Sequence, residues 1–326
     1  MKVTILDDYF NTLPNLPSFR KLDGFDVTVW NDHLQETNAL AERLRDTEVL
    51  ILFRERTRIT AKLLDQLPNL RLISQRSVYP HIDVEACTRN GVLLCSGQHE
   101  GTPSYAAAEL TWALILASVR QIPAQFASLK AGNWQMGVGK TLRGRTIGIY
   151  GYGRIGRAVA GYARAFGMNV QWWSSDEGRR RASADGERVA ASREAFFGES
   201  DVVTVHVRLK PGTQGIITLD DLLGMRTDAL FVNTSRAGLV APGALLEALN
   251  AGRPGHAAVD VFDKEPLTDP SDPLLTHPNL LATPHIGYVT EDELELQFSD
   301  IYDQVLAFAE GKPINMINPE ALSPLS

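Results

Sequence analysis

Short runs of apolar, often β-branched residues alternate with helical patterns through the first hundred residues. Five runs are typical of strands, namely KVTILDD, FDVTVWN, EVLILFR, LRLISQR and GVLLCSG. Between them, the stretches NALAERLRD and TAKLLDQL carry leucines at helical spacing. Strands that alternate with helices are typical of a parallel sheet covered by helices. The pattern therefore predicts one parallel α/β unit here.

The pattern changes at a long apolar stretch. Residues 104–122 predict a helix that connects two domains, and the polar segment 130–144 predicts a loop after it. From residue 145 the alternation restarts with six strand candidates, namely RTIGIY, MNVQWW, DVVTVHV, ALFVNTS, HAAVDVF and NLLATPH. These predict a second doubly wound parallel sheet. After a helix that begins near residue 291, the tail has too little apolar content to form a domain, so we expect it to dock on the first unit.

A glycine motif follows the first strand of the second unit. Gly151, Gly153 and Gly156 form a G-x-G-x-x-G pattern between the strand RTIGIY and the start of a helix. The first glycine allows a tight turn, the second lets the backbone approach a pyrophosphate, and the third lets helix and strand pack closely. The N–H groups that begin the helix face the same phosphate. This order of elements predicts a dinucleotide-binding site, and the alternative is a structural turn.

The residues after the next strand bear on which dinucleotide is bound. An acidic residue that holds the ribose of NAD is expected at the position of Ser174. Ser174, Ser175 and the arginines at 179–181 could instead accommodate the additional phosphate of NADP. Asp176 and Glu177 favour NAD, since either carboxylate could reach the ribose, and an arginine run is often only a solvated helix face. The sequence leaves the choice between NAD and NADP open.

Three polar side chains follow later strands of the second unit. Arg236 lies in FVNTSRAGLV, Glu265 in AAVDVFDKEP and His285 in ATPHIGY. Loops at the carboxyl ends of parallel strands line one crevice, so all three can face a bound nicotinamide. Taken singly, each has a structural explanation, such as a helix cap, a solvated loop charge or a buried histidine. Together, behind a nucleotide motif, they predict a catalytic group.

Length and composition narrow the class of protein. The chain has 326 residues, 44% of them hydrophobic and 22% charged, which is typical of two globular domains rather than a disordered or membrane-embedded chain. A net charge of −7 argues against nucleic acid as a partner. We find no signal-peptide core and no apolar run near the roughly 20 residues that span a bilayer. Cys87 and Cys95 are expected to be reduced thiols, so we expect a cytoplasmic protein with no membrane partner.

The histidines give no sign of a metal centre. The seven histidines include neither an H-E-x-x-H motif nor a Cys/His cluster. No metal is therefore expected.

Four motifs together carry a resemblance to a known family. GYGRIGR, NTSRAGLV, AAVDVFDKEP and TPHIG appear in the order and spacing of the D-isomer-specific 2-hydroxyacid dehydrogenases, a family that includes phosphoglycerate dehydrogenase and the glyoxylate and hydroxypyruvate reductases. The likeness covers roughly residues 45–315. It implies an NAD(P)-dependent enzyme that interconverts a small 2-keto acid and its D-2-hydroxy acid. It also implies a homodimer built through the nucleotide domain.

The resemblance implies an architecture of two doubly wound parallel-sheet domains. A Rossmann dinucleotide-binding domain, 102–289, would be inserted into a flavodoxin-like substrate domain made of 1–101 and 290–326. The active site would lie in the crevice between them.

By the same resemblance, Arg236 would bind the substrate carboxylate, His285 would exchange a proton with the hydroxyl oxygen, and Glu265 would hold the imidazole. The chemistry is consistent, because a guanidinium matches a carboxylate, an imidazole titrates near neutral pH and a neighbouring carboxylate favours its protonated form. The resemblance also implies cofactor contacts from Arg154, Ile155, His206, Thr234, Asp260 and Gly287. Asp260 is expected at the nicotinamide carboxamide.

One stretch departs from the family pattern. Most relatives offer backbone N–H groups to the substrate carboxylate from a glycine-rich loop, but the matching stretch here is SQRSVYPHID. Ser77, Val78 and Tyr79 occupy the place of that loop, and Arg76 adds a positive charge nearby. Arg54, at a strand end of the same domain, is a second candidate for binding an anion. The identity of the substrate therefore stays open.

Two other functions compete with this hypothesis. A dinucleotide-sensing binding protein of the same fold would need no catalytic group, so the set of Arg236, Glu265 and His285 favours an enzyme. A phosphoglycerate dehydrogenase that lacks a regulatory domain is the other alternative. Formate oxidation within the same superfamily is disfavoured, because those enzymes resemble a pattern with glutamine, rather than Glu265, beside the histidine.

Overall fold

The chain forms two compact units. A computed structural model describes residues 1–97 and 104–322. The first unit comprises Met1–Pro103 and Thr290–Ser326, and the second comprises Ser104–Val289. Each unit is built on one parallel sheet, so the predicted fold class of two doubly wound α/β sheets is confirmed.

The sheet of the first unit has five parallel strands in the order β2-β1-β3-β4-β5 among its described residues. They are β1 (Lys2–Ile5), β2 (Asp26–Val29), β3 (Val49–Ile51), β4 (Leu72–Arg76) and β5 (Leu93–Gly97). β1 lies between β2 and β3, with Val3 beside Val27 on one side and Val49 on the other. Strands buried on both faces read as continuous apolar runs, which explains why these segments are rich in valine, leucine and isoleucine.

Four α-helices cover this sheet in the described residues. They are α1 (Thr37–Leu44), α2 (Ala61–Leu64), α3 (Val84–Arg89) and, from the end of the chain, α11 (Glu291–Ala309). These helices are capped by side-chain oxygens that accept a backbone N–H of the first turn. The oxygen belongs, for example, to Asp83 at α3 and to Thr290 at α11. α11 buries Phe298 and Tyr302, and the segment after it pairs with β5 through a bond from Ile317 N to Leu94 O at 2.8 Å.

The second unit has a six-stranded parallel sheet in the order β11-β10-β9-β8-β6-β7. The strands are β6 (Thr146–Tyr150), β7 (Asn169–Trp173), β8 (Val202–Val205), β9 (Leu230–Asn233), β10 (His256–Val259) and β11 (Leu280–Ala282). All six coincide with predicted strands. Val189 adds a single parallel bridge beside Trp172, which extends the edge next to β7 in the manner of a nucleotide-binding sheet. A one-residue bridge has no periodicity, so no pattern of residues predicts it.

The second unit has seven α-helices among its described residues. They are α4 (Ala106–Val119), α5 (Ile122–Lys130), α6 (Arg154–Ala165), α7 (Asp176–Ala184), α8 (Arg193–Glu199), α9 (Leu219–Leu223) and α10 (Ala244–Asn250). The single helix expected over 104–122 ends earlier, at Val119. Gln121 takes a left-handed φ of +53°, and Pro123 then occupies the first turn of α5, where its missing N–H costs nothing. The second helix, α5, therefore begins at Ile122, the last residue of the expected helix, and ends at Lys130, the first residue of the expected loop.

Within the two described stretches, no helix is both long enough and apolar enough to cross a membrane.

Candidate active site

The three candidate catalytic side chains come from consecutive loops of the second unit. Arg236 follows β9, Glu265 follows β10 and His285 follows β11. β9, β10 and β11 are parallel neighbours, so their carboxyl ends meet at one edge of the sheet. The order of strands thus brings together residues that are far apart in the chain.

His285 and Glu265 form a direct hydrogen bond, with 2.6 Å between Nδ1 and Oε2. The other carboxylate oxygen of Glu265 accepts the N–H of Phe262 at 2.9 Å. Burial alone would raise the pKa of Glu265. The hydrogen bond and the charge of His285 lower it, with smaller contributions from the N–H of Phe262 and the charge of Arg236, so the pKa lies below its ordinary value. Glu265 is therefore an ionised acceptor at neutral pH, and Nδ1 must be the donor. None of the described residues bonds to Nε2 of the same imidazole.

Arg236 is held through its backbone by Asn233. Nδ2 of Asn233 donates to the carbonyl of Arg236 at 2.9 Å, and its Oδ1 accepts the N–H of Ser235 at 3.0 Å. The guanidinium of Arg236 donates to the Ser235 carbonyl at 2.7 Å. Asn233 is not among the predicted site residues, although an asparagine that bonds the backbone two residues on is a known turn signal.

The loop that carries His285 is fixed by Asp260. Its carboxylate accepts hydrogen bonds from Thr283, Ile286 and Gly287 at 2.6 to 2.8 Å. Burial raises the pKa of Asp260, while these bonds and the charge of His285 oppose the rise. Thr283 is not among the site residues predicted from the sequence.

Tyr288 lies next to the imidazole. Its ring meets that of His285 edge to face, with 5.4 Å between the centroids. The only sequence signal was its position three residues after His285. Tyr288 thus forms part of the wall beside the imidazole.

The glycine motif forms a tight turn with no room for a side chain at two of its three glycines. Gly151 has a φ of +116°, and a Cβ there would lie 2.4 Å from the carbonyl oxygen of His206. A Cβ on Gly156 would lie 2.6 Å from the carbonyl of Gly151. Gly153, the residue before α6, has nothing within 4 Å of such an atom, and no side chain caps the helix. The first-turn N–H groups of α6, including those of Arg154 and Ile155, are therefore open to an anion.

Three other residues expected at the cofactor make contacts within the second unit. Arg154 donates from Nη1 to the Ser104 carbonyl at 2.7 Å, and the hydroxyl of Thr234 lies 2.6 Å from that of Thr111. His206 bonds through Nε2 to the Thr204 hydroxyl at 3.0 Å. Burial lowers the pKa of His206 to about 4, so this imidazole is neutral.

The loop after β7 is organised by its own helix. The Ser175 hydroxyl caps α7 by accepting the N–H of Gly178 at 3.3 Å. Arg179 lies over the Trp173 ring, donates to the Ser174 carbonyl at 2.8 Å and pairs with Asp176. The structure therefore places serine, arginine and acidic side chains in the same turn, and the choice between NAD and NADP stays open.

The next two arginines have separate partners. Arg180 pairs with Glu177 at 2.5 Å, on an exposed face. Arg181 donates to the Tyr152 carbonyl at 3.2 Å, beside the glycine motif. Of the two, only Arg181 therefore contacts the loop that would hold the pyrophosphate.

The candidate substrate-binding residues of the first unit also follow strands. Arg54, after β3, and Ser77, after β4, have left-handed φ angles of +61° and +84°. Nε of Arg54 lies 3.6 Å from the Glu55 carboxylate. Val78 is exposed, whereas Tyr79 packs against the core of this unit. Left-handed backbone at residues with a Cβ is uncommon and is often found at ligand sites.

Arg76 is neutralised by α11. Its guanidinium lies 3.0 Å from Asp300 and 3.8 Å from Glu293. The positive charge that the sequence places near the substrate loop therefore binds the C-terminal helix to the sheet of the first unit.

In the part of the chain that the structure describes, no group of three His, Cys, Asp or Glu side chains is arranged to hold a metal ion.

A family model matches most of the second unit. The model of the D-isomer specific 2-hydroxyacid dehydrogenase NAD binding domain matches residues 112–287, which include the glycine motif and all three catalytic candidates. The chain belongs to this family. It is therefore an NAD(P)-dependent oxidoreductase that interconverts 2-hydroxy acids and 2-keto acids.

Named relatives and solved structures agree with the family assignment. A glyoxylate reductase of Aeropyrum pernix is 34% identical over 310 residues, which cover 91% of this chain and 91% of that protein. A D-3-phosphoglycerate dehydrogenase of Methanocaldococcus jannaschii is 35% identical over 276 residues, or 84% of this chain. The match spans only 52% of that longer protein. The crystal structure of a phosphoglycerate oxidoreductase from Vibrio cholerae O395 is 46% identical, with a TM-score of 0.90 over 95% of this chain and 99% of that one.

Proposed function

We propose that Arg236, Glu265 and His285 are the catalytic residues of this dehydrogenase. In reduction, the protonated imidazole of His285 gives its proton to the carbonyl oxygen of a 2-keto acid, and in oxidation it takes the proton from the hydroxyl. A nicotinamide dinucleotide, when bound, would supply the hydride to the carbonyl carbon in reduction and would accept it from the same carbon in oxidation. General acid–base catalysis of this kind needs a group that titrates near the working pH, which imidazole provides.

The 2.6 Å bond between His285 and Glu265 carries this proposal. It fixes the proton on Nδ1 and leaves Nε2 as the atom that can reach a substrate. A carboxylate beside the ring also stabilises the positive charge that the imidazole carries before reduction and acquires during oxidation.

Arg236 is proposed to bind the substrate carboxylate. Its planar guanidinium can donate two parallel hydrogen bonds, which orients the keto acid as well as binding it. Asn233 holds the backbone of Arg236 by a bond of 2.9 Å, so the loop that presents the guanidinium is rigid. The carbonyl next to the bound carboxylate would then face the imidazole.

The glycine motif is proposed to hold the pyrophosphate of the dinucleotide. The open space at Gly153 and the uncapped N-terminus of α6 support this assignment. Arg154, Ile155, His206, Thr234 and Gly287 are proposed to line the rest of the cofactor site, and Ser174 and Ser175 its ribose end.

The substrate is proposed to be a small 2-keto acid, with glyoxylate as the first candidate. The relative from Aeropyrum pernix carries the name glyoxylate reductase. Oxidation of phosphoglycerate is the second candidate, because the solved structure from Vibrio cholerae carries that substrate in its name. Arg54, Ser77, Val78 and Tyr79 are proposed to contact the part of the substrate remote from the reacting carbon.

Steady-state turnover tests the function. Glyoxylate, hydroxypyruvate and 3-phosphoglycerate should be assayed with both dinucleotides, in parallel with the His285→Gln variant. We expect turnover of at least one substrate and a loss of about 10²–10⁴-fold in both directions in the variant, with dinucleotide binding unchanged. Undiminished activity in His285→Gln would remove the histidine from the mechanism. Complete inertness of the unmodified protein, combined with tight dinucleotide binding, would favour a dinucleotide-sensing protein.

A homodimer is proposed from an apolar face of the second unit. Ile122, Phe126 and Leu129 lie on one side of α5, each more than half exposed, and Trp134 and Val138 after it are 75% and 91% exposed. Several large apolar side chains that are exposed on one helix and on the segment after it favour a protein–protein interface.

A cytoplasmic location is proposed on the state of the cysteines. Cys87 and Cys95 are both buried and free, which fits a reducing compartment.

A further inference from the structure

The carboxylate of Asp260 is fully buried at the carboxyl end of β10. Oδ1 accepts the hydroxyl of Thr283 at 2.6 Å and the N–H of Ile286 at 2.8 Å. Oδ2 accepts the N–H of Gly287 at 2.8 Å. All three donors belong to the loop that follows β11. A single carboxylate thus binds one loop at three points.

These three donors lie on both sides of His285. Thr283 precedes the histidine by two residues, and Ile286 and Gly287 follow it directly. His285 itself has a left-handed φ of +54°, a conformation that residues with a Cβ rarely adopt without support. A Cβ on Gly287 would lie 3.0 Å from Oδ2 of Asp260, so this position has little room for a side chain. The loop is therefore held in an uncommon conformation whose centre is the catalytic imidazole.

Burying a carboxylate is costly, and a neutral side chain would fill the same space at lower cost. Burial raises the pKa of Asp260, which is the sign of this cost. The three donors offset it, and removing any one of them leaves a buried acceptor without its partner. The buried carboxylate at the end of β10 therefore keeps its low cost only while the loop after β11 holds all three donors in place.

We infer that Asp260 is a positioning residue that clamps the loop 283–287, so that the imidazole of His285 meets Glu265. This inference rests on the proposed acid–base role of His285. It differs from the contact with the nicotinamide carboxamide that the family resemblance implies for Asp260, because it places the effect of the residue on the imidazole. We call this set of three hydrogen bonds the clamp; in it Thr283 is the side-chain donor to Asp260.

A pair of substitutions at Thr283 tests the clamp. Thr283→Val keeps the shape of the side chain but removes the donor to Asp260, whereas Thr283→Ser keeps the hydroxyl. We expect Thr283→Val to lower kcat/KM by about tenfold or more, since the lost bond is to a charged acceptor. The pH profile of reduction should also shift to lower pH, because an imidazole that no longer meets Glu265 loses the carboxylate that stabilises its protonated form. Thr283→Ser should keep the kcat/KM and the pH profile of the unmodified enzyme. The dissociation constant of the dinucleotide should be unchanged in both variants.

Thr4→Val serves as the matched control. Thr4 is buried in β1 of the first unit, and its hydroxyl lies 2.7 Å from that of Thr47. This variant loses a buried threonine bond of the same kind, so it should reduce thermal stability without moving the pH profile. If Thr283→Val behaves like Thr4→Val, the clamp is refuted.

A cofactor analogue separates the clamp from the carboxamide contact. The 3-acetylpyridine dinucleotide has a methyl group where the carboxamide carries its NH₂, so it cannot donate to Asp260. Under the clamp, Asp260→Asn lowers kcat/KM by the same factor with the natural cofactor and with the analogue. If the loss disappears with the analogue, Asp260 acts on the carboxamide and the clamp is wrong. Should Asp260→Asn not fold, the Thr283 pair still decides.

The His285→Gln variant keeps this inference distinct from the proposed function. Full activity in His285→Gln would overturn the proposed function itself. An inactive His285→Gln together with unaltered kinetics in Thr283→Val would keep the proposed function and overturn the clamp alone.

Discussion

The loops that follow β11 and β7 leave the same edge of one sheet, yet they are stabilised in opposite ways. The loop after β11 is bound to Asp260, whose partners lie 23, 26 and 27 residues away in the chain. The loop after β7 is bound within its own helix, where Ser175 pairs with Gly178, Asp176 with Arg179 and Glu177 with Arg180, each three residues apart. The first is organised by tertiary contacts and the second by local ones.

The difference matters because buried and exposed charges respond differently to change. Asp260 is fully buried, so losing one partner leaves a group that water cannot reach. The carboxylates of Asp176 and Glu177 are 79% and 65% exposed, and exposed ion pairs contribute about 0–1 kcal/mol each. We therefore expect the loops that carry Arg236, Glu265 and His285 to tolerate little change, and the loop after β7 to rearrange at low cost.

The largest effect is expected at Arg236. Arg236→Lys keeps the positive charge but loses the planar pair of donors that matches a carboxylate. A charge-assisted hydrogen bond is worth about 1.5–3 kcal/mol, so kcat/KM on the best substrate should fall by about tenfold or more. Arg188→Lys is the control, since the guanidinium of Arg188 forms an exposed pair with Glu199. Equal kinetics in the two lysine variants would remove Arg236 from the site and erase the contrast between the loops.

A smaller effect is expected in the pH dependence of Glu265→Gln. Because the pKa of Glu265 is lowered despite its burial, its charge is present at neutral pH and is lost only as the pH falls through that lowered value. The glutamine keeps the size but removes the charge that stabilises the protonated imidazole. We expect the pH at which reduction fails to move downward by about one unit, and the oxidation limb to shift in the same direction.

The measurement is kcat/KM for reduction across the pH range. Glu247→Gln, which changes an exposed acid on α10, is the matched control and should leave the profile unchanged. Superimposable profiles for Glu265→Gln and the unmodified enzyme would mean that the 2.6 Å bond does not govern the proton transfer.

The smallest effect is expected in the loop after β7. If Ser174 and the arginines of α7 bind a ribose phosphate, NADPH should bind more tightly than NADH. Ser174→Asp should then reverse the order by repelling the phosphate, with a change of a few-fold because the site is exposed. Calorimetric titration of both reduced cofactors measures this, and Ser183→Asp on the same helix controls for the added charge. Tighter binding of NADH by the unmodified enzyme would contradict the NADP assignment.

Much of the fold could be predicted because its signals are local. Each strand is a run of apolar residues that a parallel sheet buries on both faces, so periodicity alone located all six strands of the second unit. The elements that were missed have no such signal. Val189 contributes only one bridge, and α5 is separated from α4 by a left-handed Gln121 rather than by a break in hydrophobic pattern.

The candidate site divides in the same way. Its proposed chemistry could be predicted from the residues alone, because a strand, three glycines and a helix, followed by arginine, glutamate and histidine at later strand ends, require only that parallel strands end at one edge. The partner of each charge could not be predicted in this way, because it depends on tertiary contacts. Asp260 binds the loop of His285, and Arg76 binds Glu293 and Asp300 of α11. Such pairs join residues that are far apart in the chain. Their strength depends on burial and distance, and a local pattern of residues predicts neither.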